Sequence, residues 1–491
     1  MDREQLLKKH RKYELNIKDW LFWGKAYDGG RPFIQEVLLR NPRESDENYR
    51  QRISEAFNFN YPKAIVDLFN FYLTEKPNHR NLGDLTNDKQ WQMFFKDCDL
   101  QNTNFDIFIN ECQKIASVYG SIGVLVNKQQ TVANTVKAEL ENGVYPYCSL
   151  YTLPHIWDWQ FEDDPISGRP TLTYLKLENA DDTWTVWYPT YWEKWYYAEE
   201  MKFKKPELVG AGELTIGEIP FVWMPNIRSM TDWYLGVSDI DEISLITASI
   251  VRNLSCGEEV IKFAGFPMLR VPMRTEMDMP YEEKVGVTAV KEFDPSHGDG
   301  GKPDWMPTEI AEPIDSILRW TDRKIDELHR IAHLSGVYGQ RRSKNAVSSG
   351  LSLRYEFQQL NTSLMQKATF MAEAEMRIIE LWLKWQNKPE LKADISVERS
   401  KAFSVDDLSV SIDNLIKTMG QVPSETYSFA ARRYMVRRTL PDLPEKTFLQ
   451  IEEELARAGD EKPADDAPDD KPEAPDDSGL ESGPKEVETK A

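Results

Sequence analysis

Residues Ser349–Gln386 read SGLSLRYEFQQLNTSLMQKATFMAEAEMRIIELWLKWQ. The stretch holds no proline, and its only glycine, Gly350, stands at the start. Taken in heptads it gives Leu353, Phe357, Leu360, Leu364, Lys367, Met371, Ala374, Ile378, Leu381 and Trp385. All of these are apolar or alanine except Lys367. At the rise of an α-helix, about 36 residues span roughly 54 Å. Few globular domains need such a length, which belongs to coiled-coil-like, membrane or repeat settings. Arg354, Glu356, Glu373, Glu375, Arg377 and Lys384 exclude a membrane span. What remains is a long helix packed against neighbours, which points to an assembly more than to a small enzyme.

Upstream, Ser238 and Asp239 open another helix, whose apolar face is Ile240, Ile243, Ile246, Ile250 and Leu254. It fades at Gly265-Phe266-Pro267. An irregular excursion follows to about Pro313, with strand candidates at Met268–Val271 and Thr288–Phe293. A second helix carries the stripe Ile314, Leu318, Thr321, Ile325, Leu328, Ala332. The polar loop 336–349 then leads into the long helix, and Ala393–Glu398 after Pro389 reads as a strand.

The N-terminal part is predicted to be helical. Ser45 is a plausible N-cap with Asp46 and Glu47 in the first turn. Pro62 starts a helix through Ile65, Val66, Leu68, Phe69 and Leu73, stopped by Pro77. Two more helices fall at Trp91–Phe95 and Phe105–Tyr119, the second ended by Gly120. From Ser121 the texture changes to β-like runs: Ile122–Asn127, Tyr145–Tyr151, Leu172–Leu177, Trp184–Tyr188 and Tyr191–Tyr197. This unit ends near Pro225. Near the C-terminus three short helices are expected. Ser404 caps the first, with Asp407 at its third position and Gly420 just past its end. Ser424 caps the second, and Pro444 begins the third, which ends at Gly459.

The 491 residues allow two to four domains, and 41% are hydrophobic, enough for substantial cores. Cys98, Cys112, Cys148 and Cys256 lie far apart with no CxxC pair, which fits free thiols in a reducing compartment. The opening MDREQLLKKHRKYEL has no signal-peptide core, and no window reaches transmembrane length. A soluble protein, cytoplasmic at synthesis, is expected. Of the net charge of −21, −8 lies in residues 459–491, where twelve acidic residues face four lysines. The body is left with −13, the wrong balance for gripping nucleic acid by phosphate neutralisation. It suits a surface past which nucleic acid moves without being held. The tail, with many prolines and almost no apolar residues, is expected to be disordered.

No P-loop, GxSxG, HExxH, GxGxxG or EF-hand occurs. No catalytic residue, cofactor site or metal site is therefore assigned, and the chain is read as a non-enzyme. His329 and His333, with Asp322 and Asp326 nearby, have a spacing that can bind metal, but an ordinary polar helix surface is the stronger reading. Trp157, Trp159, Trp184, Trp187, Trp192 and Trp195 can form a sugar-stacking platform, although strand aromatics are more often core. Three basic clusters stand out: Arg319/Arg323/Arg330, Arg341/Arg342/Lys344 and Arg432/Arg433/Arg437/Arg438. For the first, salt bridging to nearby acids is the simpler account. The second can be a solvated loop. The third can favour a helix end or contact a partner.

The order of these segments resembles the portal proteins of tailed bacteriophages. SDENYRQRISEAFNFNYPKAIVDLFNFYLTEKP (45–77) looks like their N-terminal helices, and YLGVSDIDEISLITASIVRNLS (234–255) like the start of their stem. VSSGLSLRYEFQQL (347–360) looks like the tunnel loop entering the long kinked helix. SIDNLIKTMGQVPSETYSFA (411–430) looks like the segment that begins their crown. Together these cover most of residues 45–440. The resemblance implies an α+β, mainly helical, portal-like fold with wing, stem, clip and crown, in a ring that is usually a dodecamer. By position, residues 1–237 hold the N-terminal helices and wing, 238–264 and 312–335 the stem, and 265–311 the clip. Residues 336–349 are the tunnel loop, 350–404 the long helix and return strand, 405–458 the crown, and 459–491 the acidic tail. The implied role is the channel at one capsid vertex through which double-stranded DNA is packaged and ejected. Its implied partners are further copies of itself, terminase, the major capsid protein and neck or adaptor proteins, with no membrane. Its implied place is the virion, reached from the host cytoplasm. Arg341, Arg342, Lys344 and Asn345 are the residues placed beside DNA. In a helix kinked between domains, Lys367 is expected to mark a change of packing partner. Two rivals stand beside this reading: a non-channel, capsid-associated oligomeric scaffold, and a carbohydrate-binding protein built on the Trp-rich strands.

Overall fold

Among the described residues of this α+β, mainly helical chain, four separate antiparallel or mixed sheets are set among the helices. The computed structural model describes all residues except 43, 76–77, 130–135, 181, 199–204, 266–268, 273–289, 294–303, 306–310, 335–349, 402, 404–407, 441–444 and 461–491. The chain divides into two units, Met1–Ser404 and Val405–Ala491.

In the first unit, helices α1 (Arg3–Leu7), α2 (Arg11–Asp28), α3 (Gly30–Val37), α4 (Asp46–Glu55) and α5 (Tyr61–Thr74) come first. They are followed by strand β1 (His79–Asn81) and helices α6 (Lys89–Lys96) and α7 (Phe105–Tyr119). Local chemistry sets these boundaries. Ser45 Oγ accepts from the Asn48 amide over 3.1 Å, Asn60 Oδ1 accepts from Lys63 over 3.1 Å, and Asp88 Oδ1 accepts from Gln90 and Trp91. Each satisfies amides that a helix start leaves open. Gly120 stops α7 in the left-handed conformation at φ 85°, where a side chain is disfavoured.

Strands β2 (Ser121–Asn127), β3 (Tyr147–Thr152) and β9 (Phe221–Pro225) form a sheet in the order β3-β2-β9, and helix α8 (Val136–Glu141) lies between the first two. Strands β4 (Ile156–Asp163), β5 (Pro170–Asn179), β6 (Thr183–Trp187), β7 (Tyr191–Tyr196) and β8 (Glu207–Glu213) form an antiparallel meander in chain order. Then come α9 (Asp241–Gly265), the short strands β10 (Leu269–Pro272), β11 (Val290–Phe293) and β12 (Asp304–Trp305), and α10 (Ala311–Ile331). The long helix α11 (Gly350–Trp385) follows, with strand β13 (Ser396–Glu398) behind it, paired antiparallel to β1.

The largest core gathers α5, α6, α7, β2, β9 and the distal part of α11, with Leu364, Ile378, Leu381 and Trp382 free of solvent. A second core is aromatic and joins the N-terminal helices to the five-stranded meander through Tyr13, Trp20, Trp157, Trp159, Trp184 and Trp187. A third, small core sets α3 against Ala248 and Val251 of α9.

Most predicted elements are present, with informative differences. The long helix has the expected bounds. The N-terminal part is helical as expected, with α1–α3 ahead of the predicted cap at Ser45, whereas helix α8 and strands β1, β4, β8, β9 and β12 have no counterpart in the sequence reading. Helix α5 ends at Thr74, and the predicted stop, Pro77, lies outside the described residues. The strand expected over Tyr145–Tyr151 starts only at Tyr147, and the stretch after Pro389 is a 3-10 turn, Pro389–Asp394, before β13.

The second unit contains α12 (Leu408–Gln421), α13 (Glu425–Thr439) and α14 (Glu445–Asp460). Gly420 does not end α12 as predicted; the helix runs through it to Gln421. Its φ is not in the left-handed region, and a Cβ there would meet no atom within 4 Å. Nothing forces a stop before Pro423. Ser424 caps α13 by accepting from Tyr427 over 3.2 Å. The predicted cap at Ser404 with Asp407, and the start at Pro444, lie outside the described residues. Helices α13 and α14 run antiparallel: Arg433 pairs with Glu452, and Arg437 lies 4.1 Å over the Phe448 ring.

Candidate assembly site

Helices α9 and α10 form an antiparallel hairpin. Ile317 lies 3.7 Å from where a Cβ on Gly257 would stand. Asn253 Nδ2 donates to Thr321 Oγ1 over 3.2 Å, and Lys324 Nζ donates to Ser249 Oγ over 2.7 Å. Along these contacts numbering falls on one helix as it rises on the other. Ile243, Ile250 and Val251 of α9 are buried, as are Thr321 and Leu328 of α10. Burial next to Arg252 holds the Lys324 ammonium below the usual lysine range. Leu245 and Ile261 on α9, and Leu318 and Trp320 on α10, are each more than half exposed.

The root of the hairpin is pinned before α9 begins. Ser238 Oγ donates to Val118 O over 2.6 Å and accepts from the Ile240 amide. The Asp239 amide donates to Ser117 O over 2.9 Å. The Asp239 carboxylate accepts from Asn226 Nδ2 over 2.9 Å and pairs with the Lys367 ammonium from the middle of α11. Asn226 is held in turn by Gln113 Nε2, 2.9 Å away, and by Ser117 Oγ at 3.2 Å. Lys367 is solvent-free, and its ammonium lies 4.7 Å from the centre of the Phe69 ring on α5. Burial lowers its pKa, and the Asp239 charge opposes that shift.

Eight residues further along α11, Glu375 is equally buried. It accepts from Arg80 and, over 2.7 Å, from Arg399. Arg80 flanks α11 from β1 and Arg399 from just beyond β13, so one carboxylate clamps the two-stranded ribbon to the long helix. Nearer its end, Arg377 and Lys384 both reach Glu218, at 2.7 and 2.6 Å.

The residues predicted to face DNA, Arg341, Arg342, Lys344 and Asn345, lie outside the described residues, as do the rest of loop 336–349 and most of 265–311. Of the other basic clusters, Arg319 pairs with Asp315 at 3.6 Å and Arg330 with Glu327. Arg433 and Arg437 join helices within the second unit. Trp157, Trp159, Trp184 and Trp187 are buried, so they are core; only Trp192 and Trp195 are partly exposed. His329 meets the Tyr61 ring edge-on at 6.3 Å. Among the described residues, no group of three or more His, Cys, Asp or Glu could hold a metal ion, and no helix is long and apolar enough to cross a membrane.

Sequence reasoning missed a second buried lysine. Lys176, in the middle of β5, is solvent-free and donates to the carbonyls of Gln5 and Lys8 at the end of α1. In the same N-terminal segment the His10 ring stacks on Trp159 at 4.1 Å, and the His10 amide donates to Trp157 O over 2.9 Å. Nothing local to Lys176 marks it for burial, and the basic run Lys8–Lys12 beside it disfavours a further cation.

No family model matches the sequence, and neither does any curated protein. A chain from a solved structure described as "Virion of native gene transfer agent (GTA) particle" aligns with a TM-score of 0.41 and 11% sequence identity. The alignment covers 84% of this chain and 98% of that one. A likeness at that level does not define a shared fold.

Proposed function

We propose that this chain is a portal-type subunit: one copy in a ring, of dodecamer size, that forms the channel at a capsid vertex for packaging and ejecting double-stranded DNA. The observation that carries this reading is the antiparallel α9/α10 hairpin rooted against the middle of a 36-residue helix. A channel wall built from many copies needs long, rigid, side-by-side helices. The hairpin supplies them, with large apolar side chains left at its surface for contact between copies. The net charge of −21 suits a wall that lets a polyanion slide without gripping it.

In this reading the chain has no catalysis of its own, and the work of translocation comes from a separate terminase. That motor docks on residues 265–311, which later receive neck or adaptor proteins. The major capsid protein surrounds the ring in the virion, and assembly takes place in the host cytoplasm. Arg341, Arg342, Lys344 and Asn345 touch phosphates transiently as DNA passes.

Mass measurement of the purified full-length protein, combined with negative-stain imaging, tests the ring. Closed rings with an axial hole are expected. Particles without a hole would instead assign the chain to a capsid-associated scaffold. A triple R341A/R342A/K344A variant should assemble normally yet alter DNA packaging or retention; unchanged packaging and retention would remove the DNA role of that loop. The carbohydrate reading loses its main support because four of its six tryptophans are core, and glycan binding by the full chain would restore it.

A further inference from the structure

The buried lysine of α11 is an anomaly that packing alone does not explain. Leu360, Leu364, Met371 and Ala374, at the heptad positions around Lys367, are buried and apolar. A leucine or methionine at 367 would satisfy the same burial at less cost. An ion pair taken out of water is often no more stabilising than well-packed apolar residues of similar volume. What a buried pair adds in some proteins is uniqueness, because it is satisfied in one register and penalised in others.

The surroundings of the pair extend that constraint. One oxygen of Asp239 faces Lys367, and the other accepts from Asn226. Asn226 lies at the end of β9 and is itself held by Gln113 and Ser117 of α7. The segment 226–240 that joins the sheet to α9 would otherwise be a natural hinge. Instead its backbone lies hard against another. A Cβ on Gly120 would come within 2.5 Å of the Gly236 carbonyl oxygen, so the segment has no slack on that side either.

We propose that Asp239 and Lys367 form a coupling pin that makes the root of the α9/α10 hairpin and the middle of α11 move as one body. A displacement of the hairpin is then passed into α11 at Lys367 and is not absorbed in segment 226–240. The inference concerns a single subunit and stands whether or not the ring forms.

The test is a charge-free replacement that keeps the remaining hydrogen bond. Asp239→Asn retains an acceptor for Asn226, and Lys367→Met fills the ammonium's place with an apolar chain. The full-length D239N/K367M variant carries no unpaired buried charge, so it decides the matter even where a single variant fails to fold. Hydrogen–deuterium exchange and chemical denaturation are compared with wild type on the same oligomeric species. The expected result is an unchanged denaturation midpoint with exchange faster by roughly tenfold, the size of an ordinary coupling between touching residues. The acceleration should appear in both residues 240–254 and residues 360–374. Three results would overturn the proposal. One is wild-type protection in both segments. Another is a change confined to one helix. The third is a lowered midpoint with protection lost throughout the unit, which would make the pair a plain stabilising contact.

Discussion

Arg399 Nη2 donates to Glu375 Oε2 over 2.7 Å in a site closed to solvent, while Arg80 occupies the other carboxylate oxygen. One glutamate is therefore shared by two guanidiniums, and the half-exposed Asp106, 2.6 Å from Arg80, supplies a second negative charge. Replacing Glu375 with Ala would leave Arg399 without its carboxylate in the core and Arg80 with the half-exposed Asp106 alone. Urea denaturation should show a loss of about 3–5 kcal/mol. A triple R80M/E375L/R399M variant should recover most of that loss, because no buried charge then remains. If the triple variant were as unstable as Glu375→Ala, the ribbon would be held by shape and not by charge.

Lys176 gives the chain a pH dependence of definite sign. Burial lowers its pKa from 10.5 to about 8, with Lys8 and Lys9 adding to the shift and Asp158 opposing it. Between these values the unfolded chain binds a proton that the folded chain does not. Stability from this residue therefore rises as pH climbs from about 8 towards 10.5, and is lower, and flat, below about 8. The whole span is on the order of 3 kcal/mol as an upper bound. Tyrosines and other lysines titrate nearby in pH, so the comparison that isolates Lys176 is against Lys176→Met. Its unfolding free energy should lack the rising component across that window. Parallel pH profiles for the two proteins would mean that the ammonium is not desolvated by the N-terminal arm.

The long helix was legible because one property, apolar residues at heptad spacing without a helix breaker, repeats over its full length. The meander was half legible. Aromatic alternation marked β5, β6 and β7, while β8 hides behind Gly210 and Gly212. The run from Ile156 to Asp163 reads as a bare aromatic tract. The caps at Ser45 and Ser424 are local chemistry and were readable. Lys367 was visible only as an exception to a pattern, because its partner lies 128 residues away in sequence and nothing local encodes the pairing. Glu375 shows the same blindness: in the sequence it is a charge that excludes a membrane, and the structure makes it the most buried of the described carboxylates of α11.

Thiol reactivity should separate the four cysteines cleanly. Cys98, Cys112 and Cys148 are buried, and burial, together with the other thiols and acids close by, pushes all three pKa values up. The thiolate is the reactive form, so these three should stay silent in the native protein. Cys256, on α9, is exposed. An aromatic disulfide reagent should titrate one thiol per chain under native conditions and four after denaturation. The Cys256→Ser variant should give none in the native state. Rapid reaction of a second native thiol would contradict the packing of α7 against β2 and β3.

The proposed ring would use the exposed apolar side chains of the α9/α10 hairpin as its contacts. Leu318 and Trp320 are 53% and 56% exposed, yet two helical positions apart they point about 200° from one another. A two-fold dimer needs one self-complementary patch, whereas a closed ring needs two different ones on each subunit. Leu318→Glu and Trp320→Glu should each abolish assembly while leaving the unfolding midpoint of the subunit nearly unchanged, because neither side chain is buried within it. Mixing the two variants is the sharper measurement. Each retains one competent face, so together they should form capped dimers and stop there. Neither variant should form those dimers alone. Rings from either single variant would remove that side chain from the interface, and dimers of one variant alone would favour a two-fold contact over a ring.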